Sequence, residues 1–139
     1  MHRTILQPKD WAAPRGYVNG IAARGTVVSI AGQVGWNAQC RFETDDFVGQ
    51  VRQALANVRA VLAEAGGGPE HIVRMTWYLT DRRDYLEAGK PLGAAWREFM
   101  TDTEGTVHYP AMTAVQVVAL MEERAKIEIE ATAVVPVPM

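Results

Sequence analysis

A chain of 139 residues, 48% apolar and 22% charged, has the size and balance of one soluble globular domain covering 1–139. Its net charge of −2, with Arg82–Arg83 the only adjacent basic pair, argues against a nucleic-acid surface. One cysteine excludes an intrachain disulfide or a cysteine-based zinc set, and three histidines at no ligand spacing leave no metal or cofactor to expect.

The opening "QPKDWAAPRGYVNG" has loop composition as far as Tyr17, and the segment before it lacks a signal-peptide core. No apolar run reaches membrane-spanning length, so a cytoplasmic protein without a membrane partner is the expectation. "GYVNGIAARGTVVSIAGQV" predicts two short strands turned as a hairpin at Arg24–Gly25. "GWNAQCRFETDD" is a polar loop carrying Trp36 and Cys40.

Phe47, Val51, Ala54, Leu55, Val58, Val61, Leu62 and Ala65 then recur at three- and four-residue steps, the apolar stripe of a helix. Thr44 is placed as its N-cap, Asp45 and Asp46 suit the positive end of its dipole, and Gly66–Gly68 stop it. "HIVRMTWYLTD" predicts a strand with Val73, Met75, Trp77 and Leu79 on one face. A second helix runs from about Asp84 to Met100 with Leu92, Trp96 and Phe99 inward, and Gly89, Pro91 and Gly93 predict a break near Pro91. After the loop "TDTEGTVHYP" come two strands, "AMTAVQVVAL" and "AKIEIEATAVV", turned around "MEER".

The fold class is therefore α+β: β-β-α-β-α-β-β, a mixed sheet with both helices on one face. The helical crossover implies parallel pairing, and the terminal hairpins imply antiparallel pairing. One face of the sheet is left without cover from its own chain although it is not uniformly polar, which favours oligomerisation.

No P-loop, dinucleotide fingerprint or serine-nucleophile elbow is present. Cys40 lacks a helix N-terminus or a base beside it, so an inert thiol is the simpler reading. His108, next to Tyr109–Pro110, reads equally as a surface-loop residue or as part of a site mouth. In "AKIEIEATAVV" the odd positions form an apolar face and Glu128 and Glu130 project from the other. Solvated glutamates are the commoner outcome, whereas a carboxylate in a cleft could orient a water or take a proton. Periodicity leaves both open.

Across nearly its whole length the chain resembles the Rid family, the reactive intermediate deaminases of YjgF type. "GYVNG" resembles the family's tyrosine-containing loop, and "TVVSIAGQVGWNAQCRF" its strand and following turn. "DDFVGQVRQALANVRAVLAEAG" resembles the first helix with its Gln–Asn pattern, and "HIVRMTWYLTDRRDY" the next strand. "YPAMTAVQVVAL" and "KIEIEATAVVP" resemble the last two strands. The resemblance implies a chorismate-mutase-like homotrimer, with sheets lining a central barrel and small carboxylates bound in clefts between subunits. It also implies hydrolysis of imines or enamines to keto acids and ammonia. Carried over by position, Tyr17 is a cleft tyrosine, Glu128 orients water and the Ala114 carbonyl assists it. Deaminating members carry an arginine after Pro-Ala, where this chain has Met112, and the family's helix asparagine falls near Gly93. Arg15 and His108 are the nearest groups in sequence that could replace the missing cation.

Two functions follow as expectations: a deaminase with a non-standard substrate, or a non-catalytic protein that binds or senses a metabolite in the same cleft. A ribonuclease reading, a label some relatives carry, fits poorly with the acidic balance and the lack of a basic stripe.

Overall fold

The computed structural model describes residues 3–136. Its elements are β1 (Arg3–Leu6), β2 (Gly20–Ala23), β3 (Thr26–Val34), α1 (Phe47–Glu64), β4 (Ile72–Leu79), α2 (Arg82–Glu87), α3 (Lys90–Met100), β5 (Ala111–Gln116) and β6 (Ile127–Val135), with a 3-10 turn at Pro69–His71. The α+β class, the mixed sheet and the helices are as expected. The main sheet has the order β3-β6-β4-β5, antiparallel at β3–β6 and β6–β4 and parallel at β4–β5, where the helical crossover demands it.

Neither expected hairpin forms. β2 pairs with β1, a strand in the segment before the expected loop, where no element was expected, while β3 joins the main sheet. Gly25, at φ +143°, sits against the Val135 backbone where no Cβ could fit, so the chain there switches sheets instead of folding back on β2. β5 likewise does not pair with β6. Nine alternating residues let β6 bury one whole face, and it takes the centre of the sheet, with β3 on one side and β4 on the other.

The first helix forms along most of its predicted stripe: Val51, Ala54, Leu55, Val58 and Leu62 are buried against Ile30, Ile127, Ile129, Ala131 and Ala133, while Val61 falls on the exposed side. The N-cap is Asp46, not Thr44. Its carboxylate accepts from the Gly49 N–H at 2.8 Å, and Thr44 Oγ1 accepts from the Asp46 N–H at 3.0 Å, bracing the cap from outside. Gly66, at φ +74°, ends the helix. The break in the second helix is at Gly89, φ +62°, and Pro91 sits in the first turn of α3, where its missing N–H costs nothing. In β4 the pairing with β6 slips at Val73, so Ile72 replaces Val73 in the core.

The Gln–Asn pattern of α1 has a structural cause. Gln50 is fully buried, donates to the carbonyls of Thr44 (3.1 Å) and Arg124 (3.0 Å), and accepts from the Lys126 N–H (2.8 Å). Asn57 donates to the carbonyls of Val34 (3.1 Å) and Trp36 (2.8 Å). Two amides thus satisfy backbone groups of three irregular segments and fix the exits of β3 and the entry to β6.

Candidate active site

The sheet has a covered face and a bare one, and they sort the candidate residues. Strand neighbours in register project to the same face. Met112 lies beside Met75 and Ala131, on the helix side. Glu128 lies beside Tyr78, with Glu130 beside Thr76 and Thr132 beside Arg74, on the bare side.

The two glutamates differ in their partners. Glu130 Oε1 accepts a 2.5 Å hydrogen bond from the Tyr78 hydroxyl. That bond to a carboxylate, followed by partial desolvation and the charges of Glu130 and Glu128, raises the Tyr78 pKa above its ordinary 10.0, with Arg74 opposing. Glu128 has no hydrogen-bond partner among the described residues. Its carboxylate lies over Gly32, where a Cβ would collide with it. Ala31 and Gly32 fall in an irregularity where the β3–β6 register shifts, between Ile30 and Gln33, so the bare backbone is presented to the carboxylate. Glu130 is tied into the wall of a cavity of about 450 Å³ with Ser29, Arg74, Thr76 and Thr132.

On the covered side, Met112 and Gly93 line one cavity of about 200 Å³. Trp77, Tyr85, Trp96 and Tyr109 are among its walls, with Gly16 and Arg97 also lining it. Trp77 meets Tyr85 edge-on at 5.8 Å, and Trp96 stacks on Tyr109 at 5.7 Å with 13° between planes. Trp96 Nε1 donates to the His108 carbonyl at 3.2 Å, while Trp77 Nε1 is buried without a partner among the described residues.

The loop holding Arg15 and Tyr17 reaches this region through the backbone. The Val18 N–H donates to the Pro110 carbonyl at 3.0 Å, and Val18 bridges Ala111 in parallel. Gly16, at φ +76°, turns the loop so that Arg15 and Tyr17 are both exposed. The Val117 N–H bonds to Leu79 of β4, so by strand alternation Ala114 directs its carbonyl the other way, to the free edge of the sheet that Pro110 also faces. That carbonyl is open for a water or a ligand.

His108 is elsewhere. Nε2 pairs with Asp102 Oδ2 at 2.7 Å and Nδ1 is 3.3 Å from the Arg3 guanidinium, which also donates to the Glu70 carbonyl. His108 lines a different cavity, with Arg3, Ile5 and Val18 among its neighbours. The hydrogen bond to His108, then the Thr106 N–H, holds the Asp102 carboxyl below its ordinary range. Cys40 stands on an exposed turn at φ 60°, held by bonds to Asn37.

One chain does not unite Glu128 with Met112. They project from opposite faces, two strands apart (about 9.5 Å) and three residues apart along the strand direction (about 10 Å). Sequence reasoning missed two residues here. Gly32 was visible only as part of the "AGQ" turn, and the signal for Arg97 was its spacing four residues after Gly93 on one helix. Among the described residues, no group of three His, Cys, Asp or Glu is placed to hold a metal, and no helix is long and apolar enough to cross a membrane.

A mixed sheet with its helices on one face and a half-buried glutamate over a glycine on the other makes this a small α+β protein. The Endoribonuclease L-PSP family profile matches residues 8–135, and the chain belongs to this family, the Rid proteins of YjgF type. It is 33% identical over 134 residues to the 2-iminobutanoate/2-iminopropanoate deaminase of Salmonella typhimurium, covering 96% of this chain and 98% of that protein. Its fold is similar to that of a Rid-family protein of unknown function from Yersinia pestis, at 27% identity and a TM-score of 0.73, covering 97% of this chain and all of the other. It is also similar to Escherichia coli TdcF, solved with bound serine, at 32% identity and a TM-score of 0.66, covering 88% and 90%.

Proposed function

We propose that this protein hydrolyses an imine or enamine to a keto compound and ammonia in clefts completed between copies of the chain. The observation that carries the reading is the Glu128 carboxylate, unpartnered and seated on the bare backbone of Gly32, while its neighbour Glu130 is engaged by Tyr78. A free carboxylate beside exposed backbone can accept a proton from a water as that water attacks the C=N carbon. The C–O bond forms, the nitrogen takes up protons, and the C–N bond breaks to release ammonia and leave the carbonyl. The Ala114 carbonyl at the free edge of β5 would hold the second hydrogen of that water. Tyr17 and Arg15 would border the cleft, with Met112 and Gly93 in its wall. His108, tied to Asp102 and lining a different cavity, would take no direct part.

The opposite projection of Glu128 and Met112 favours a site made by two subunits, and we assign the protein as a homotrimer of the cytoplasm. Exposed apolar residues on and just beyond β5, Val115, Val118 and Met121, suit burial against another copy. Light scattering after size exclusion tests the assembly, and a stable monomer at micromolar concentration overturns the shared cleft.

The test of activity is ammonia and keto-acid release from imines generated in place, with Glu128→Ala as control. Equal turnover by both proteins defeats the assignment of Glu128. Met112 favours one other reading, a non-catalytic metabolite-binding protein, because an apolar side chain cannot clamp a carboxylate as an arginine would. Saturable binding without product would support that reading.

A further inference from the structure

The cavity beside Met112 contains a cation. Arg97 is exposed in the last turn of α3, and among the described residues its guanidinium forms no ion pair. A cation in a last turn can serve simply to complement the helix dipole. Helical side chains, however, lean towards the N-terminus, and Arg97 does so strongly. Its Nη1 lies 3.4 Å from where a Cβ on Gly93 would stand, one full turn back. The guanidinium is therefore directed away from the carbonyls a dipole partner would serve and into the wall of the cavity it shares with Met112. Gly93 makes that path available, because a side chain longer than Ala there would occupy the space the guanidinium crosses.

The remaining walls indicate what the cation would hold. Trp77, Tyr85, Trp96, Tyr109 and Met112 surround the space, and among the described residues no carboxylate lines it. A guanidinium fork matches a carboxylate with two parallel bonds, and aromatic walls accept a flat apolar body. A three-carbon acid would engage the charged end and leave most of the aromatic wall unfilled.

We infer that Arg97 provides the carboxylate-binding group of this cleft from a helix instead of from β5, and that the pocket selects α-imino acids with an aromatic or similarly bulky apolar side chain. This rests on the reading of the cleft as a deaminase site. Met112 is then part of the apolar wall that receives the side chain.

The test is isothermal titration calorimetry of the whole protein with phenylpyruvate, pyruvate and phenylacetone, the last lacking the carboxylate. Phenylpyruvate is expected to bind about tenfold or more tightly than pyruvate. Arg97→Ala should weaken phenylpyruvate about tenfold or more and leave phenylacetone within about twofold, with Arg97→Lys between. Gly93→Leu, which displaces the guanidinium without removing the charge, should reproduce the loss. Wild-type affinity for phenylpyruvate in Arg97→Ala, or equal binding of the two acids by wild type, overturns the inference. The two readings fail separately. Arg97-dependent binding with no ammonia from the matching imine keeps the pocket and removes the deaminase. Glu128-dependent turnover unaffected in Arg97→Ala keeps the deaminase and removes Arg97.

Discussion

The covered and bare faces of the main sheet come from the same strands, yet they tolerate opposite things. On the covered face most large side chains are enclosed and the amides of Gln50 and Asn57 are hydrogen-bonded, so a change there acts through packing and unmet backbone bonds. On the bare face the polar row of Arg74, Thr76, Tyr78, Glu128 and Glu130 contributes little to the core and is free to serve chemistry or assembly. The difference teaches where a substitution will be read out: in stability on one face, in turnover on the other.

The largest expected effect is on the bare face. Glu128→Ala should lower turnover about a hundredfold or more, as loss of a general base does, with an unchanged urea midpoint. A stability loss as large as a core mutant's would break the distinction between the faces. Next is Gln50→Ala, which leaves the Thr44 and Arg124 carbonyls and the Lys126 N–H without their partner. Destabilisation of about 2–4 kcal/mol by urea denaturation is expected. Third, wild type should hydrolyse 2-iminopropionate poorly and Met112→Arg should raise that rate about tenfold or more, since a charge-assisted contact to the substrate carboxylate is worth roughly 1.5–3 kcal/mol. A coupled keto-acid assay with a dehydratase as the imine source measures it, and rapid wild-type turnover would show that position 112 does not set the substrate.

The smallest effects are pH-dependent, one on each side of neutrality. Tyr78 has a raised folded pKa, so its contribution to stability is complete below pH 10 and is lost as pH rises through the folded value. Glu130→Gln should bring the phenol titration, followed by ultraviolet difference absorbance, back towards the ordinary value. Asp102 has a depressed folded pKa, so its contribution is present above the ordinary 3.8 and is lost as pH falls through the folded value. Asp102→Asn should flatten the acid limb of the thermal midpoint against pH and leave the alkaline limb alone.

Local features were legible in the sequence. The α1 stripe, its glycine stop, the break before Pro91 and the alternation of β6 depend on residues a few positions apart, and the structure has them all. Strand partners were not legible, because pairing is a choice among distant segments. Two strands close in sequence read as a hairpin until a third, β1 for β2 and β4 for both β5 and β6, offers a better edge. The same limit applies to the site. Glu128 and Glu130 are equivalent by period, and only Tyr78 and Gly32, brought in from other strands, tell them apart. The Gly93–Arg97 pair was local and readable, but nothing in the sequence said that Met112 would face it.

The central position of β6 has a consequence for how the chain is made. It follows all the other strands in chain order, yet it lies between β3 and β4. While the ribosome delivers the first 126 residues, the apolar faces of β3, β4 and α1 exist without the strand that joins them. The nascent chain therefore carries two unzipped sheet edges until its final strand emerges, and its contacts close over long sequence separations. Closure of the main sheet is therefore expected late, and a stalled or truncated product lacking β6 is the species that holdase chaperones would be expected to retain.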